Sequence, residues 1–306
     1  MSELFSAVSY GKALPAAFLG SVDLALGSAG ALLLTESLLD RGDYVVRTME
    51  IEYDGEPAAL RGALADAVVP ADVDGTSVFN AYTAVVPHSL REAKRKFLIM
   101  DVDSTLIQQE VIELLAAHAG VEEEVAAVTE AAMRGELDFA ASLHARVATL
   151  EGLPATVVDD VRAAVQLSPG ARDLIDSFAA AGHVVAVVSG GFSQILDPLA
   201  QQLGLDYAQA NLLEVDGGRL TGKVLGAVTD RAAKAEALRR WAEESGVPLE
   251  HTIAIGDGAN DLDMLDASGY GIAYNAKPAL RKAADAEINI PQLDVAAAIA
   301  GVDYAR

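Results

Sequence analysis

The chain has 306 residues, which predicts two domains of ordinary size, and its 52% apolar and 22% charged residues are typical of a globular protein. Its 22 Lys and Arg against 45 Asp and Glu give a net charge of −23, so we expect no nucleic-acid partner and no attraction to anionic membranes. The absence of cysteine excludes disulfides and thiolate metal sites. Without a leader pattern or an apolar run long enough to span a membrane, we expect a soluble cytoplasmic protein.

The first ninety residues predict a smaller α+β domain. Ala13 to Leu39 is apolar and interrupted by glycines. The pattern then predicts strands at Tyr44 to Tyr53 and Ser77 to Val85, with a helix at Pro57 to Val68 between them. Four basic residues then cluster within Pro87 to Lys96, just before an apolar run. We place the domain boundary there, with domains at residues 1–90 and 91–306.

Strands and helices alternate after this basic segment, which is the rhythm of a parallel α/β sheet. Strands are predicted at Phe97 to Met100, His183 to Val188, Thr252 to Ile255, Tyr270 to Tyr274 and Glu287 to Ile290. Helices are predicted at Ala171 to Ala181, directly after Ser189-Gly190-Gly191, at Arg231 to Ser245 and at Pro278 to Ala284, with a hairpin at Asp216-Gly217-Gly218. From about Val111 to Ala164 only helical periodicity occurs, so we expect a helical insertion after the first strand.

Polar side chains follow three of these strands at the point where each strand ends. Asp101 and Asp103 follow the first strand, Ser189 the second, and Asp257 the third. Each of them alone is ordinary turn or helix-capping chemistry. However, the carboxyl ends of parallel strands share one edge of a sheet, where ligands gather, so we expect these side chains to meet.

Such a cluster indicates phosphoryl transfer. Crowded carboxylates favour a hard divalent cation, with Asp101 and Asp257 as candidate ligands. Ser189 at a helix start would hold an anion, and Lys234 in the first turn of its helix would neutralise it. In that arrangement Asp101 is the candidate nucleophile and Asp103 the candidate acid and base.

At these residues the sequence resembles the phosphoserine phosphatases of the haloacid dehalogenase superfamily, from roughly Phe97 to Pro291. The four superfamily motifs stand in order as Asp101-Val102-Asp103-Ser104-Thr105, Ser189-Gly190-Gly191, Lys234 and Gly256-Asp257-Gly258-Ala259-Asn260-Asp261. The resemblance implies a Rossmann-like parallel sheet with an inserted α-helical cap at about residues 107–168. It also implies Mg²⁺-dependent hydrolysis of O-phospho-L-serine to L-serine through an aspartyl-phosphate, as a step of serine biosynthesis.

The resemblance implies a role for each motif residue. Asp101 would be nucleophile and magnesium ligand, Asp103 the acid and base with its backbone carbonyl on the metal, and Asp257 the second side-chain ligand. The remaining motif residues would hold the phosphoryl group or support it and the metal: Ser189, Gly190, Lys234, Asn260 and Asp261.

Two runs in the insertion, Ala132 to Phe139 and Ser142 to Val147, look like the cap signature of the family. By that likeness Arg146 would bind the substrate carboxylate and Glu110 its ammonium, while Met133 and Phe139 would shield the site from water. A bidentate Arg suits a carboxylate, so this assignment is also chemically sensible.

Larger family members carry an amino-terminal ACT-like module, and we interpret residues 1–90 as such a regulatory domain. An ACT-like domain at this position implies a homodimer and a response of the enzyme to free serine. Two alternative functions stay open: a related phosphatase or phosphotransferase acting on another small phosphomonoester, and a signalling receiver phosphorylated on Asp101. A receiver lacks the helical insertion, which a capped phosphatase needs to exclude water.

Overall fold

In the computed structural model, residues 2–67, 79–133 and 138–304 are described, without the side chains of residues 66, 67 and 130–133. Within these residues the chain forms two sheets. A four-stranded sheet precedes the basic segment Pro87 to Lys96 along the chain, and a seven-stranded sheet follows it. The predicted start of a strand at Ser77 and the Arg134 to Leu137 part of the cap signature lie outside the described residues.

The N-terminal sheet is antiparallel, in the order β2-β3-β1-β4. Its elements are β1 (Glu3–Gly11), α1 (Ala16–Ala29), β2 (Leu32–Asp40), β3 (Val45–Tyr53), α2 (Pro57–Ala67) and β4 (Ala81–Pro87). This is the βαββαβ order of ferredoxin-like folds. The predictions of β3, α2 and most of β4 are confirmed, whereas β1, α1 and β2 were not resolved from the sequence.

Strand β1 is buried on both faces. Successive side chains of a strand point in opposite directions, so its residues pack into two different cores. Phe5 and Ala7 pack with apolar residues of α1 and α2. Val8 and Tyr10 pack into the core of the seven-stranded unit. The N-terminal sheet therefore lies between its own helices and the rest of the molecule.

The second sheet has the order β11-β10-β9-β5-β6-β7-β8 and is parallel except for the final hairpin. Its strands are β5 (Phe97–Met100), β6 (Val184–Phe192), β7 (Tyr207–Asp216), β8 (Arg219–Leu225), β9 (Thr252–Gly256), β10 (Tyr270–Tyr274) and β11 (Ala286–Ile288). The helices after β4 are α3 (His88–Arg91), α4 (Val111–Ala119), α5 (Glu122–Met133), α6 (Phe139–Ala148), α7 (Val157–Ala164), α8 (Ala171–Ala180), α9 (Ser193–Leu203), α10 (Arg231–Ser245), α11 (Leu262–Ala267), α12 (Pro278–Arg281) and α13 (Val295–Ala300).

The central strand β5 shows that this sheet is covered on both sides. Its four residues are all apolar and fully buried, as in parallel strands packed between helices. Leu98 and Met100 belong to one core cluster, and Phe97 and Ile99 to the other. The predicted parallel α/β sheet is confirmed.

Helices α4 to α7 form the helical insertion between β5 and α8. Ile107 pairs with Leu167 in an isolated antiparallel bridge, and the Ser168 N–H donates to the Leu106 carbonyl at 2.9 Å. The outgoing and returning chains therefore lie side by side at the base of the cap. The domain and cap bounds themselves stay predictions.

Several details differ from the sequence predictions, among them the following. Strand β6 continues through Ser189-Gly190-Gly191, and helix α9 begins only at Ser193, because Phe192 still pairs with Asn211 of β7. Helix α12 ends at Arg281, and α13 was not predicted. No described helix has the length and hydropathy needed to cross a bilayer.

The basic segment joins the two sheets instead of forming a free linker. The Arg91 guanidinium donates to the carbonyls of Ala298 and Ile299 at 2.7 and 2.9 Å, at the end of α13. Arg95 donates to the Ser245 carbonyl at the end of α10. Helix C-termini carry partial negative charge, so these arginines stabilise two helices of the larger unit.

Candidate active site

Three strands of the parallel sheet end at one site. Asp101 follows β5, and its backbone N–H donates to the Ile255 carbonyl of β9 at 2.9 Å. The chain then turns sharply at Ser104, whose φ of 57° is uncommon for a residue other than glycine. As a result both Asp101 and Asp103 line the same pocket.

Asp101 has polar partners on both carboxylate oxygens. Oδ1 accepts the Val102 N–H at 2.6 Å. Oδ2 lies 2.7 Å from Lys234 Nζ and accepts from Asn260 Nδ2 at 3.2 Å. This network fixes the orientation of the carboxylate that was predicted to be the nucleophile.

Lys234 lies in the first turn of α10, as predicted, and is fully buried. Its ammonium is 2.7 Å from Asp101 Oδ2 and 2.7 Å from Asp261 Oδ1. Burial alone would lower the pKa of Lys234, but the two carboxylates outweigh it and raise that pKa. The lysine therefore keeps a fixed positive charge beside Asp101.

Asp261 holds the loop that carries Asp257. Besides the contact of its Oδ1 with Lys234, its Oδ2 accepts the backbone N–H groups of Asp257 and Gly258, each at 3.2 Å. Burial, followed by the negative charge of Asp101, raises the pKa of Asp261. Both oxygens are already engaged by the protein, which fits the supporting role predicted for this residue.

The donor set fits a hard divalent cation. Among the described residues, Asp101, Asp257 and Asp261 each offer a carboxylate oxygen, and these atoms lie within 4.8 Å of one another. Because Asp261 is fully buried behind the pocket, whereas Asp101 and Asp257 line it, Asp101 and Asp257 are the side chains best placed to hold a metal. Burial, followed by the negative charges of Asp101 and Glu110, raises the pKa of Asp257 to about 7. A bound cation would stabilise the ionised carboxylate and so lower this pKa.

Asp103 has the protonation behaviour expected of an acid. Its pKa is raised well above the ordinary value, first by burial and then by the charges of Glu110 and Asp101. Its Oδ1 is buried without a hydrogen-bond partner among the described residues. A protonated Asp103 would thus have a proton to donate at this position.

Ser189 faces the same cluster from the end of β6. Its Oγ accepts the Gly191 N–H at 2.7 Å. A Cβ added to Gly191 would lie 3.0 Å from both Ser189 Oγ and Asp103 Oδ2, so these two groups converge on one glycine backbone. The cradle is extended backbone and not the helix start that we predicted, since α9 begins at Ser193.

The cap closes the pocket from above. Glu110 precedes α4 and accepts from Ser104 Oγ at 2.7 Å. Arg146 on α6 is mostly buried, and this burial lowers its pKa, although the negative charge of Glu110 acts in the opposite direction. The Phe139 ring, at the start of α6, lies against Gly190, where an added Cβ would be 2.8 Å from it.

A cavity of about 190 Å³ contains most of the predicted residues. It is lined by Asp101, Asp103, Glu110, Ile112, Phe139, Leu143, Arg146, Gly190, Gly191, Phe192, Asp257, Asn260 and Lys277. Ser189, Lys234 and Asp261 contact this lining from behind. The side chain of Met133, the remaining predicted residue, lies outside the described ones.

Lys277 is the charged pocket residue that sequence reasoning missed. Its backbone N–H donates to the Asp257 carbonyl at 2.9 Å, and its positive charge opposes the raised pKa of Asp257. It follows β10, whose end shares the edge where the other site residues lie. Extending the edge argument to that predicted strand would have found it.

With this geometry established, comparison with known proteins identifies the class. Residues 98–266 match the haloacid dehalogenase-like hydrolase family. The chain therefore belongs to the haloacid dehalogenase-like hydrolases.

Similar proteins within this class are phosphoserine phosphatases. The enzyme of that name from Streptomyces coelicolor is 56% identical over 260 residues, which are 85% of this chain and 62% of that protein. The phosphoserine phosphatase of Streptococcus thermophilus is 51% identical over 196 residues, which are 64% of this chain and 91% of that protein. A solved structure described as a phospho-aspartyl intermediate analogue of phosphoserine phosphatase has 44% identity and a TM-score of 0.62, covering 65% of this chain and 95% of that one.

Proposed function

We propose that this chain hydrolyses O-phospho-L-serine to L-serine and phosphate. The observation that carries the proposal is the pocket itself. It places an acidic pair, Asp101 and Asp103, at one end and the opposite charges of Arg146 and Glu110 at the cap end. Asp101 and Asp103 supply a nucleophile and an acid for a phosphate ester, while Arg146 and Glu110 complement the carboxylate and the ammonium of phosphoserine. A cavity of about 190 Å³ also restricts the substrate to a small molecule.

The first half-reaction uses Asp101 and Asp103. A carboxylate oxygen of Asp101 attacks phosphorus, the bond from phosphorus to the serine oxygen breaks, and the proton of Asp103 passes to the departing alkoxide. Lys234 and Ser189 hold the phosphoryl oxygens. The raised pKa of Asp103 supports this order, because the acid must carry its proton when the substrate arrives.

The second half-reaction restores the enzyme. Asp103, now a carboxylate, takes a proton from water, and the water oxygen attacks the phosphorus of the aspartyl-phosphate. The bond from phosphorus to Asp101 breaks, which releases phosphate and the free carboxylate. Phe139 and the cap exclude other water from the site meanwhile.

We assign Mg²⁺ as the cofactor. Asp101 and Asp257 would hold it through their side chains, with the backbone carbonyl of Asp103 as the third protein ligand. When bound, the ion supplies positive charge that neutralises the phosphoryl oxygens. Asn260, within hydrogen-bond reach of Asp101, would contact the phosphate, and Met133 would complete the cap wall with Phe139.

Phosphate release tests the proposal directly. The assay compares O-phospho-L-serine, O-phospho-L-threonine, phosphoethanolamine and a sugar phosphate, each with Mg²⁺ and with EDTA. We expect Mg²⁺-dependent release with phosphoserine as the preferred substrate. Preference for another ester would support the alternative phosphatase, and transfer to an added alcohol without free phosphate would support a phosphotransferase.

The N-terminal unit suggests an assembly. Strand β2 is an edge strand that is exposed along its whole length and carries five leucines. We propose that it pairs with β2 of a second copy in a homodimer. We also propose that the N-terminal unit mediates a response to free serine. A dimer in sedimentation that Leu38→Lys converts to monomer would support the pairing. An unchanged oligomeric state and serine response after deletion of residues 1–86 would contradict both. As a serine-producing enzyme the protein would act in the cytoplasm.

A further inference from the structure

A second cavity lies away from the active site, where the N-terminal unit meets the parallel sheet. Its volume is about 500 Å³, within the range of ligand pockets in proteins. The N-terminal wall is formed by α2 and the beginning of β4, and the opposite wall by the segment from α12 to β11. Pockets between structural units are frequent binding sites, because each unit supplies part of the lining.

The cavity is positively charged in an otherwise acidic molecule. Arg61, Arg281 and Lys282 line it, against Asp285 and Glu287. Among the described residues, the lining therefore carries one net positive charge, three cations less two acids, in a chain with a net charge of −23. A concave cationic surface within a negative field concentrates anions.

The ion pairs in the wall leave Lys282 as the available cation. Arg61 lies 3.1 Å from Asp285, and Arg281 donates to Glu287 at 2.8 Å. For Lys282, no ion pair occurs among the described residues, and its side chain is exposed. One excess positive charge suits a monoanion better than a phosphate dianion.

Apart from Thr83, the rest of the lining is apolar or aromatic. Tyr10 and Tyr82 stack on each other with ring centroids 6.2 Å apart, and Leu64 with several alanines completes the wall. Small side chains there leave room for a ligand body. The cavity thus matches an organic molecule with one carboxylate, whose apolar part contacts Tyr82 and the alanines.

Helix α12 connects this cavity with the active site. Lys277, directly before the helix, lines the catalytic pocket and donates its N–H to Asp257. Arg281 at its end and the following Lys282 line the second cavity. A displacement of this single turn would move Lys277 relative to Asp257.

We infer that this cavity is a regulatory site for a small organic monocarboxylate and acts on the active site through α12. Benzoate is the probe, and benzamide, which has nearly the same shape without the charge, is its control. Calorimetry measures binding to the intact protein and requires no turnover, so failure of this inference and failure of the proposed phosphatase activity are distinguishable.

We expect one saturable benzoate site, weaker binding of benzamide, and a loss of affinity of about fivefold in Lys282→Gln. Lys223→Gln, an exposed lysine on β8, and Arg146→Ala in the active site should bind benzoate as the unmodified chain does. Saturating benzoate should change kcat/KM for phosphoserine by about fivefold, and Lys282→Gln should reduce that change.

Four binding results would overturn the inference. They are the absence of saturable binding, equal affinity for benzamide, benzoate affinity unaffected by Lys282→Gln, and binding lost in Arg146→Ala, which would place the probe in the catalytic pocket. Binding without any change in kcat/KM would equally contradict a regulatory site.

Discussion

Lys234 shows how this site keeps a charge inside the protein. A fully buried lysine is costly unless it is paired, and here two carboxylates contact one ammonium. The arrangement positions Asp101 and also neutralises part of the acidic cluster before substrate arrives. The sequence placed Lys234 in the first turn of a helix, where a cation opposes the helix dipole, and its partners account for that position.

Arg146 is the residue on which substrate choice depends in this account. Arg146→Ala should lower kcat/KM for phosphoserine by about a hundredfold or more, because a charged hydrogen-bonded contact is lost. Phosphoethanolamine, which lacks the carboxylate, should lose much less. The measurement is the ratio of the two kcat/KM values in both proteins, with Arg162→Ala on the exposed face of α7 as control. Equal losses for the two substrates would contradict recognition of the carboxylate.

Lys277 gives an electrostatic prediction at the rim of the pocket. Lys277→Gln should lower kcat/KM by about threefold to tenfold and reduce its dependence on salt, because an exposed cation steers a phosphate dianion into an acidic protein. Lys223→Gln removes the same charge from an exposed residue of β8 that does not line the pocket, and it should change neither quantity. Salt titrations of kcat/KM test this, and identical slopes for the two variants would exclude a steering role.

At the scale of elements, the contact between cap and sheet is the feature to test. Gly190→Ala should push the Phe139 ring away and lower kcat/KM by about tenfold, since an added Cβ would lie 2.8 Å from that ring. Phe139→Ala should lower it as well, by opening the cap wall. In the double variant the Gly190 change should cost much less. A double-mutant cycle measures this coupling, and strictly additive effects would show that the cap does not rest on Gly190 during turnover.

The parallel sheet could be predicted because its strands are continuous apolar runs, as Phe97 to Met100 is. The N-terminal edge could not. Strand β2 exposes leucines on both faces, so it lacks the alternation that marks a half-buried strand. The end of β6 was assigned to a loop because glycines usually interrupt strands, yet pairing with β7 extends it.

The site was more predictable than the N-terminal fold, because motif residues follow strands that share an edge. Asp101, Ser189 and Asp257 needed only that topological rule. Lys277 follows a predicted strand that ends at the same edge, so the same rule could have found it. The apolar lining from Ile112, Leu143 and Phe192 required the three-dimensional arrangement, since nothing in their local sequence distinguishes them from core residues.

At the scale of the whole molecule, the acidic site should make stability depend on pH and metal. The folded pKa of Asp257 is about 7 against an ordinary 3.8, so between these values the folded state binds more protons than the unfolded state. Stability without metal should therefore fall as pH rises through this window, by on the order of 1 kcal/mol for this partly exposed group.

Thermal unfolding in EDTA and in Mg²⁺ measures this effect. Asp257→Asn should make the pH dependence in EDTA less steep, although Asp261 and Asp103 with their raised pKa values keep part of it, and should lose most of the stabilisation by Mg²⁺ at pH 7 to 8. Asp263→Asn, in the first turn of α11 and paired with Arg231 outside the pocket lining, is the control and should behave as the unmodified chain. Stability that rises with pH in EDTA through Asp257, or full Mg²⁺ stabilisation of Asp257→Asn, would contradict the assignment.

If turnover passes through a phosphorylated Asp101, rapid acid quenching should trap that intermediate. The protein is mixed with phosphorus-labelled O-phospho-L-serine and Mg²⁺, quenched within one turnover, digested and mapped by mass spectrometry. We predict an acid-stable, hydroxylamine-labile label on the peptide containing Asp101, absent from folded Asp101→Asn. Turnover without such a label, or a label on another residue, would contradict the account.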